Sequence, residues 1–450
     1  MVVGNVKISA PLLWGAALVL FALPLAAQTG GLPGPVPVAL LEARRQALLA
    51  ELGTGIAVLP SAAVPDEESD GDYPQGSYRQ DNDFFRLTGL EESGSWLVLL
   101  ADSSGSGKAI LYLPPRNPAT EQWNGARLGP SSEAAALSGI ADVRPATLAD
   151  EQIPALVAQY RRLWLKLIPK VTSDPAVQRL MLQSGAETIQ DLRPALGQVR
   201  LVKDADEVAR LRRATAITAD AQIEAMRSTS PGAWEYEIQA GIEAVFRRGG
   251  ADRVGFPSIV GSGPNSTTLH YMSSHRRTQS GDLVVTDIGA EYGYYTADVT
   301  RTWPVSGKFS PRQRALYDLV LGSQQIAIDS VRPGVTLKHL YRIAQGYLRQ
   351  HSGDLCAPKT CDQFFIHGLS HWLGMDVHDV GPHDAPLLPG MVLTVEPGVY
   401  LAGEGIGIRI EDDVLVTVDG HEVLSAGAPR AAADIEKVIA EGAKLRKGKR

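Results

Sequence analysis

Two carboxylates set inside strand-like apolar runs constrain this chain more than any other feature. The stretch Asp282-Leu-Val-Val-Thr-Asp287-Ile-Gly-Ala-Glu-Tyr292-Gly293-Tyr-Tyr-Thr-Ala-Asp298-Val-Thr-Arg-Thr-Trp303 reads as two strands about a two-residue turn at Tyr292-Gly293. Such a turn pairs residue 291 with 294, and therefore 287 with 298. Directly opposed residues share a face, with Cβ atoms ~4.5–5.5 Å apart. Two ionised acids held that close repel, and burial makes the repulsion worse. Either the hairpin turns this face to water or a cation lies between the acids. On this fragment alone the two readings are even.

A second acidic hairpin tips the balance. Leu393-Thr-Val-Glu396-Pro-Gly ends one strand, and Gly405-Ile-Gly-Ile-Arg409-Ile-Glu411-Asp412-Asp413 forms another. A loop centred on Gly403-Glu404 sets Glu396 opposite Glu411, with Pro397 and Gly398 able to introduce a bulge. Arg409 alternates with Glu411 and can orient a carboxylate from behind. Histidines cluster as well, with His367, His371, His378 and His383 in one short segment. A helix would stack His367 and His371 one turn apart. Yet Gly368 stands where the zinc motif H-E-x-x-H needs glutamate, and Gly368, Gly374 and Gly381 favour loop or strand. Four acids with one histidine suit two oxygen-loving divalent ions, and composition excludes an all-thiolate site. Two such ions can share and activate a water, leaving a carboxylate to move its proton and donors to hold an oxyanion.

At 450 residues the chain has room for two or three domains. A net charge of −7 leaves no electrostatic footprint for nucleic acid, and the basic run 444–450 reads as a solvated terminus. The first residues are set apart. Lys7 is the only charge there, an apolar run over 12–25 includes Pro24 near its end, and Ala26-Ala27 follow. That is the order of a secretory signal over 1–27, with an uncleaved anchor as its rival. The expectation is export, periplasmic or secreted, with no stable membrane span after cleavage. Export places Cys356 and Cys361 in an oxidising medium, where their spacing permits a disulfide.

A helical pattern over 40–52, strands near 55–59, 95–100 and 108–113, and helical patterns over 153–167 and 176–192 describe an α/β layer domain without a chemistry motif. The pattern breaks at 192–196, so the boundary falls near residue 200 and the first domain spans 36–198. Beyond it, helical stretches 204–226 and 234–248 lead into the first acidic hairpin. Stretches 311–330 and 337–351 lead into the second. This repeat hints at a duplicated unit within a second domain over 203–445.

With these residues assembled, the chain resembles aminopeptidase P of the creatinase/prolidase metallopeptidases. The resemblance is strong in His367-Gly-Leu-Ser-His-Trp-Leu-Gly-Met-Asp-Val-His-Asp379, Thr394-Val-Glu-Pro-Gly398 and Gly405-Ile-Gly-Ile-Arg-Ile-Glu-Asp-Asp413. It is weaker but present in Tyr78-Arg-Gln-Asp-Asn-Asp-Phe-Phe-Arg-Leu-Thr-Gly89. The resemblance implies an α+β chain: a C-terminal pita-bread domain behind a smaller α/β domain. It implies Asp287, Asp298, His371, Glu396 and Glu411 as ligands of two divalent ions, usually manganese, with Glu396 also shuttling the proton of a bridging hydroxide. His270, within Thr268-Leu-His-Tyr271, and His378 would hold substrate and stabilise the intermediate. His367 would line the pocket, and Arg409 would support the ligands. The implied activity is Xaa-Pro aminopeptidase, on peptides with proline in second position, in a homo-oligomer. Xaa-Pro dipeptidase is the alternative. A non-catalytic peptide-binding relative is disfavoured by the complete ligand set. The signal segment and the Cys356/Cys361 insertion depart from the usual cytoplasmic enzyme.

Overall fold

In the computed structural model, residues 33–63 and 78–448 are described; the signal-like segment 1–27 and the stretch 64–77 lie outside them. A six-stranded sheet leads, in the order Asp142–Pro145, Gly107–Leu113, Trp96–Ala101, Gly55–Pro60, Arg162–Leu165, Thr188–Asp191. Alternate residues feed opposite faces. Ala57, Leu59, Leu97 and Leu111 pack with Leu48, Leu49 and Phe84, whereas Ile56, Val58, Val98 and Ile110 pack with Ile153, Val157 and Val177. Helices cover both faces, which explains why the central strands are apolar at nearly every position.

Three local expectations are corrected here. The helical pattern 153–167 splits: Ala149–Tyr160 ends at Arg161, in the left-handed region at φ 64°, and Arg162–Leu165 pairs parallel with Gly55–Pro60. The pattern 176–192 splits too, into Pro175–Gln183 and the edge strand Thr188–Asp191, around Gly185 at φ 67°. Sheet pairing outweighs local helical periodicity in both. Residues 192–196, expected to break structure, instead open the helix Arg193–Leu201. Pro194 sits in its first turn, where a missing N–H is harmless.

The C-terminal half repeats one plan. Helices Ala205–Ser228 and Glu235–Arg248 precede a three-stranded sheet in which Leu283–Ile288 runs between Ile259–Ser262 and Val299–Pro304. Helices Pro311–Ile328 and Leu337–His351 precede the strands Val392–Val395, Gly398–Leu401, Ile406–Arg409 and Asp412–Val416. Capping boxes start two of the four helices, Asp204 with Glu207 and Ser310 with Gln313. One apolar core, from Leu201 to Ile439, joins all of these elements. Cys356 and Cys361 form a disulfide, with Cα atoms 5.2 Å apart. Among the described residues no helix is long and apolar enough to cross a membrane.

The first hairpin turns one residue later than expected. Tyr292 pairs with Tyr295, and the turn residues Gly293 and Tyr294 both have positive φ, 56° and 75°. Asp287 therefore faces Thr300 rather than Asp298. The slip is two residues, an even number, so both aspartates keep the same face. The second hairpin has the expected register. Val395 pairs with Asp412 and Gly398 with Arg409, which sets Glu396 opposite Glu411 across Pro397 without a bulge.

Candidate metal centre and catalytic cleft

The two hairpins and the irregular segment after the disulfide converge on a cleft of about 480 Å³. Its wall contains every residue expected of the site: His270, Asp287, Asp298, His367, His371, His378, Glu396, Arg409 and Glu411. A larger hollow of about 720 Å³ elsewhere, lined by residues such as Phe85, Arg210 and Tyr294, holds none of them. Chemistry, not volume, marks the site.

Asp298, His371 and Glu411 each offer an atom within 4.8 Å of the others, a spacing that one ion can bridge. His371 Nε2 stands 3.4 Å from Asp298 Oδ2 and 3.4 Å from Glu396 Oε1. Its Nδ1 lies 3.1 Å from the Trp372 carbonyl, an acceptor, so Nδ1 carries the proton and Nε2 turns a lone pair toward the acids. Burial pushes the His371 pKa down to about 4, keeping the ring neutral. A lone pair facing ionised carboxylate oxygens is repulsive unless a metal ion or a proton lies among them. Asp287 Oδ1 and Asp298 Oδ1 are also buried without a hydrogen-bond partner. Burial, then neighbouring acids, raises Asp298 and Glu411 well above the ordinary carboxylate range, and Glu396 is pushed up to about 8, chiefly by burial. The donor set fits oxygen-preferring divalent ions.

Side chains behind the acids fix their aim. Arg409 is buried, and its Nη2 donates to Asp287 Oδ2 at 2.7 Å, Nη1 to the Tyr400 hydroxyl at 2.9 Å and Nε to Thr300 Oγ1 at 3.1 Å. Thr300 donates to Glu411 Oε2 at 2.6 Å, and Thr394 to Glu396 Oε1 at 3.2 Å. His367 Nδ1 lies 2.8 Å from the Gly368 carbonyl, so its Nε2, 2.9 Å from the Tyr400 oxygen, accepts from that hydroxyl. Burial and then Arg409 bring the His367 pKa down to about 4. His378 packs edge-on against His371, ring centroids 4.4 Å apart. His270 lies on the exposed side of the cleft.

Sequence reasoning missed several residues that support or line the cleft. Thr300, Thr394 and Tyr400, which support the site from behind its wall, each lie an even number of positions from Asp298 or Glu396 at the edge of their strands, so alternation could have found them. Leu269 and Ser370 carried no signal. Asp379 and His383 stood in the histidine-rich segment without an assigned role, and both line the cleft.

Residues 209–418 match the metallopeptidase family M24, and residues 41–164 match the aminopeptidase P N-terminal domain. The chain is 37% identical to the Xaa-Pro aminopeptidase of Haemophilus influenzae, over 88% of this chain and 96% of that protein. Among solved structures, proline aminopeptidase P II from Yersinia pestis superposes with a TM-score of 0.83 at 36% identity, covering 90% of this chain and all of that one (100%). Zinc-substituted E. coli aminopeptidase P in complex with product gives 0.83 at 34% identity, covering 91% of this chain and 99% of that one. With mixed helix and sheet, and the same N-terminal and catalytic modules in the same order, the chain belongs to the aminopeptidase P branch of metallopeptidase family M24.

Proposed function

We propose that this protein is a metal-dependent Xaa-Pro aminopeptidase that uses two divalent ions, manganese in its working state. The observation that carries the reading is the neutral His371, whose Nε2 points among buried carboxylates. Asp287, Asp298, His371, Glu396 and Glu411 would hold the ions. When bound, two such ions supply an activated water and polarise the scissile carbonyl. The chain's own groups do the rest. Glu396 takes a proton at a carboxylate oxygen and returns it to the leaving proline nitrogen. His270 and His378 hold the carbonyl oxygen of the substrate as charge develops there. Arg409 keeps Asp287 aimed, and His367 forms the wall beside Glu396.

The boundary near residue 200, with its domains over 36–198 and 203–445, is part of this proposal, as are export and a homo-oligomer. The signal-like segment supports export. The family resemblance supports the oligomer, which light scattering would measure.

The test uses one purified sample lacking residues 1–27. Its metal content is measured alongside hydrolysis of a longer Xaa-Pro peptide and of the dipeptide Gly-Pro. The expected result is release of the first residue from the longer peptide, lost with a chelator and restored best by manganese. Cleavage of the dipeptide alone would reassign the enzyme as a dipeptidase, and activity indifferent to chelation would remove the metal centre.

A further inference from the structure

His378 lies in a stretch without helix or strand, so no regular hydrogen-bond ladder fixes it. What holds this stretch comes largely from the other end of the chain. Arg200, near the end of the helix Arg193–Leu201, is 4% exposed and reaches three carboxylates. Its Nη1 donates to Asp83 Oδ1 at 3.0 Å, and its Nη2 to Asp376 Oδ2 at 2.9 Å and to Asp379 Oδ1 at 2.5 Å. Lys203 Nζ takes the other Asp379 oxygen at 3.1 Å. Asn82 Nδ2 donates to Asp376 Oδ1 at 2.9 Å, and Lys166 Nζ to Asp83 Oδ2 at 2.9 Å. His378 therefore sits between two acids gripped by a single guanidinium. The Asp379 amide also donates to the Trp372 carbonyl at 2.9 Å, beside the proposed ligand His371.

A buried ion cluster of this kind is weak evidence for stability, because desolvation offsets most of the attraction. Its distinctive product is geometry, since a planar guanidinium fixes both distance and angle. We propose that Arg200, with Asp376 and Asp379, is a positioning device for His378, through which Asn82, Asp83 and Lys166 of the N-terminal sheet domain govern turnover. The proposal rests on the substrate-holding role of His378 given above.

The test compares kcat, KM and metal content of the manganese-loaded protein for Asp376→Asn, Arg200→Lys, His378→Ala and the double variant D376N/H378A. Asp376 has a 49% exposed side chain, so its variant keeps the fold, which a melting curve verifies. Should Arg200→Lys not fold, Asp376→Asn carries the test alone. A displaced holding group lowers kcat on the order of tenfold, with metal content and KM nearly unchanged, and adds no further loss in the His378→Ala background. Equal losses in both backgrounds overturn the clamp while leaving the role of His378 intact. Unchanged kcat in the folded clamp variants, or loss of metal from them, overturns it as well. A His378→Ala protein with wild-type kcat removes the role of His378, and the clamp with it.

Discussion

At His371 the two ring nitrogens face opposite surroundings, a backbone carbonyl on one side and acidic oxygens on the other. Glu396, beside it, is pushed up to about 8 by burial in the metal-free site, and in the loaded enzyme it is the carboxylate placed to carry the proton. Glu396→Gln keeps the shape and removes that function. Its kcat should fall about 10²–10⁴-fold with an unchanged circular dichroism spectrum, and near-normal turnover would remove Glu396 from the mechanism. The same shifts set a pH dependence for the metal-free protein. Glu396 rises from 4.5 to about 8 on folding, so the fold binds its proton more tightly and loses stability as pH climbs toward 8. His367 and His371 fall from 6.5 to about 4, so they weaken the fold only below 6.5. Between about pH 6.5 and 8 the carboxyls act alone. The melting temperature of chelated protein should drop across that window, and divalent ions should abolish the drop. A flat or rising curve with chelator present would contradict the assignment.

Each hairpin delivers its acids by strand alternation, so an even slip in pairing leaves the chemistry on the same side. That is why the first hairpin's acids were legible even though its turn was misplaced. A tyrosine at φ 75° is not what turn preferences favour, and Phe85 stacks on that ring at 3.7 Å, a contact no local pattern shows. The Glu396–Glu411 register was readable because nothing between them departs from simple pairing. Strands Arg162–Leu165 and Thr188–Asp191 were hidden, because parallel partners lie far away in sequence. The grip of Arg200 on Asp376 was equally hidden, spanning 176 residues. Close approach between elements gives its own prediction. A Cβ on Gly407 would meet the Ser266 carbonyl oxygen at 1.9 Å, jamming the strand that carries Arg409 against the turn that leads to His270. Gly407→Ala should cost about 3 kcal/mol of stability by chemical denaturation and lower kcat/KM. A neutral variant would mean the two segments part easily.

Over the whole molecule, the two helix-and-hairpin repeats of the C-terminal half bring acids from both into one cleft. The proposed export leaves its trace at the N-terminus: sequencing of protein recovered outside the cytosol should begin just after Ala27. Recovery with Met1 retained would favour the anchor. The disulfide belongs at this scale too. It closes a short loop, and its second cysteine opens the 3₁₀ turn Cys361–Phe364, which runs straight into Phe365 and His367. Replacing both cysteines by serine should lower stability by about 2 kcal/mol, read from urea melts, with unchanged stability as the contrary result. Protein harvested from a reducing host and protein harvested from an exporting one are then two covalent species, different in heat resistance beside the very wall that shapes the cleft. A preparation's thiol titration therefore has to accompany any rate measured on it.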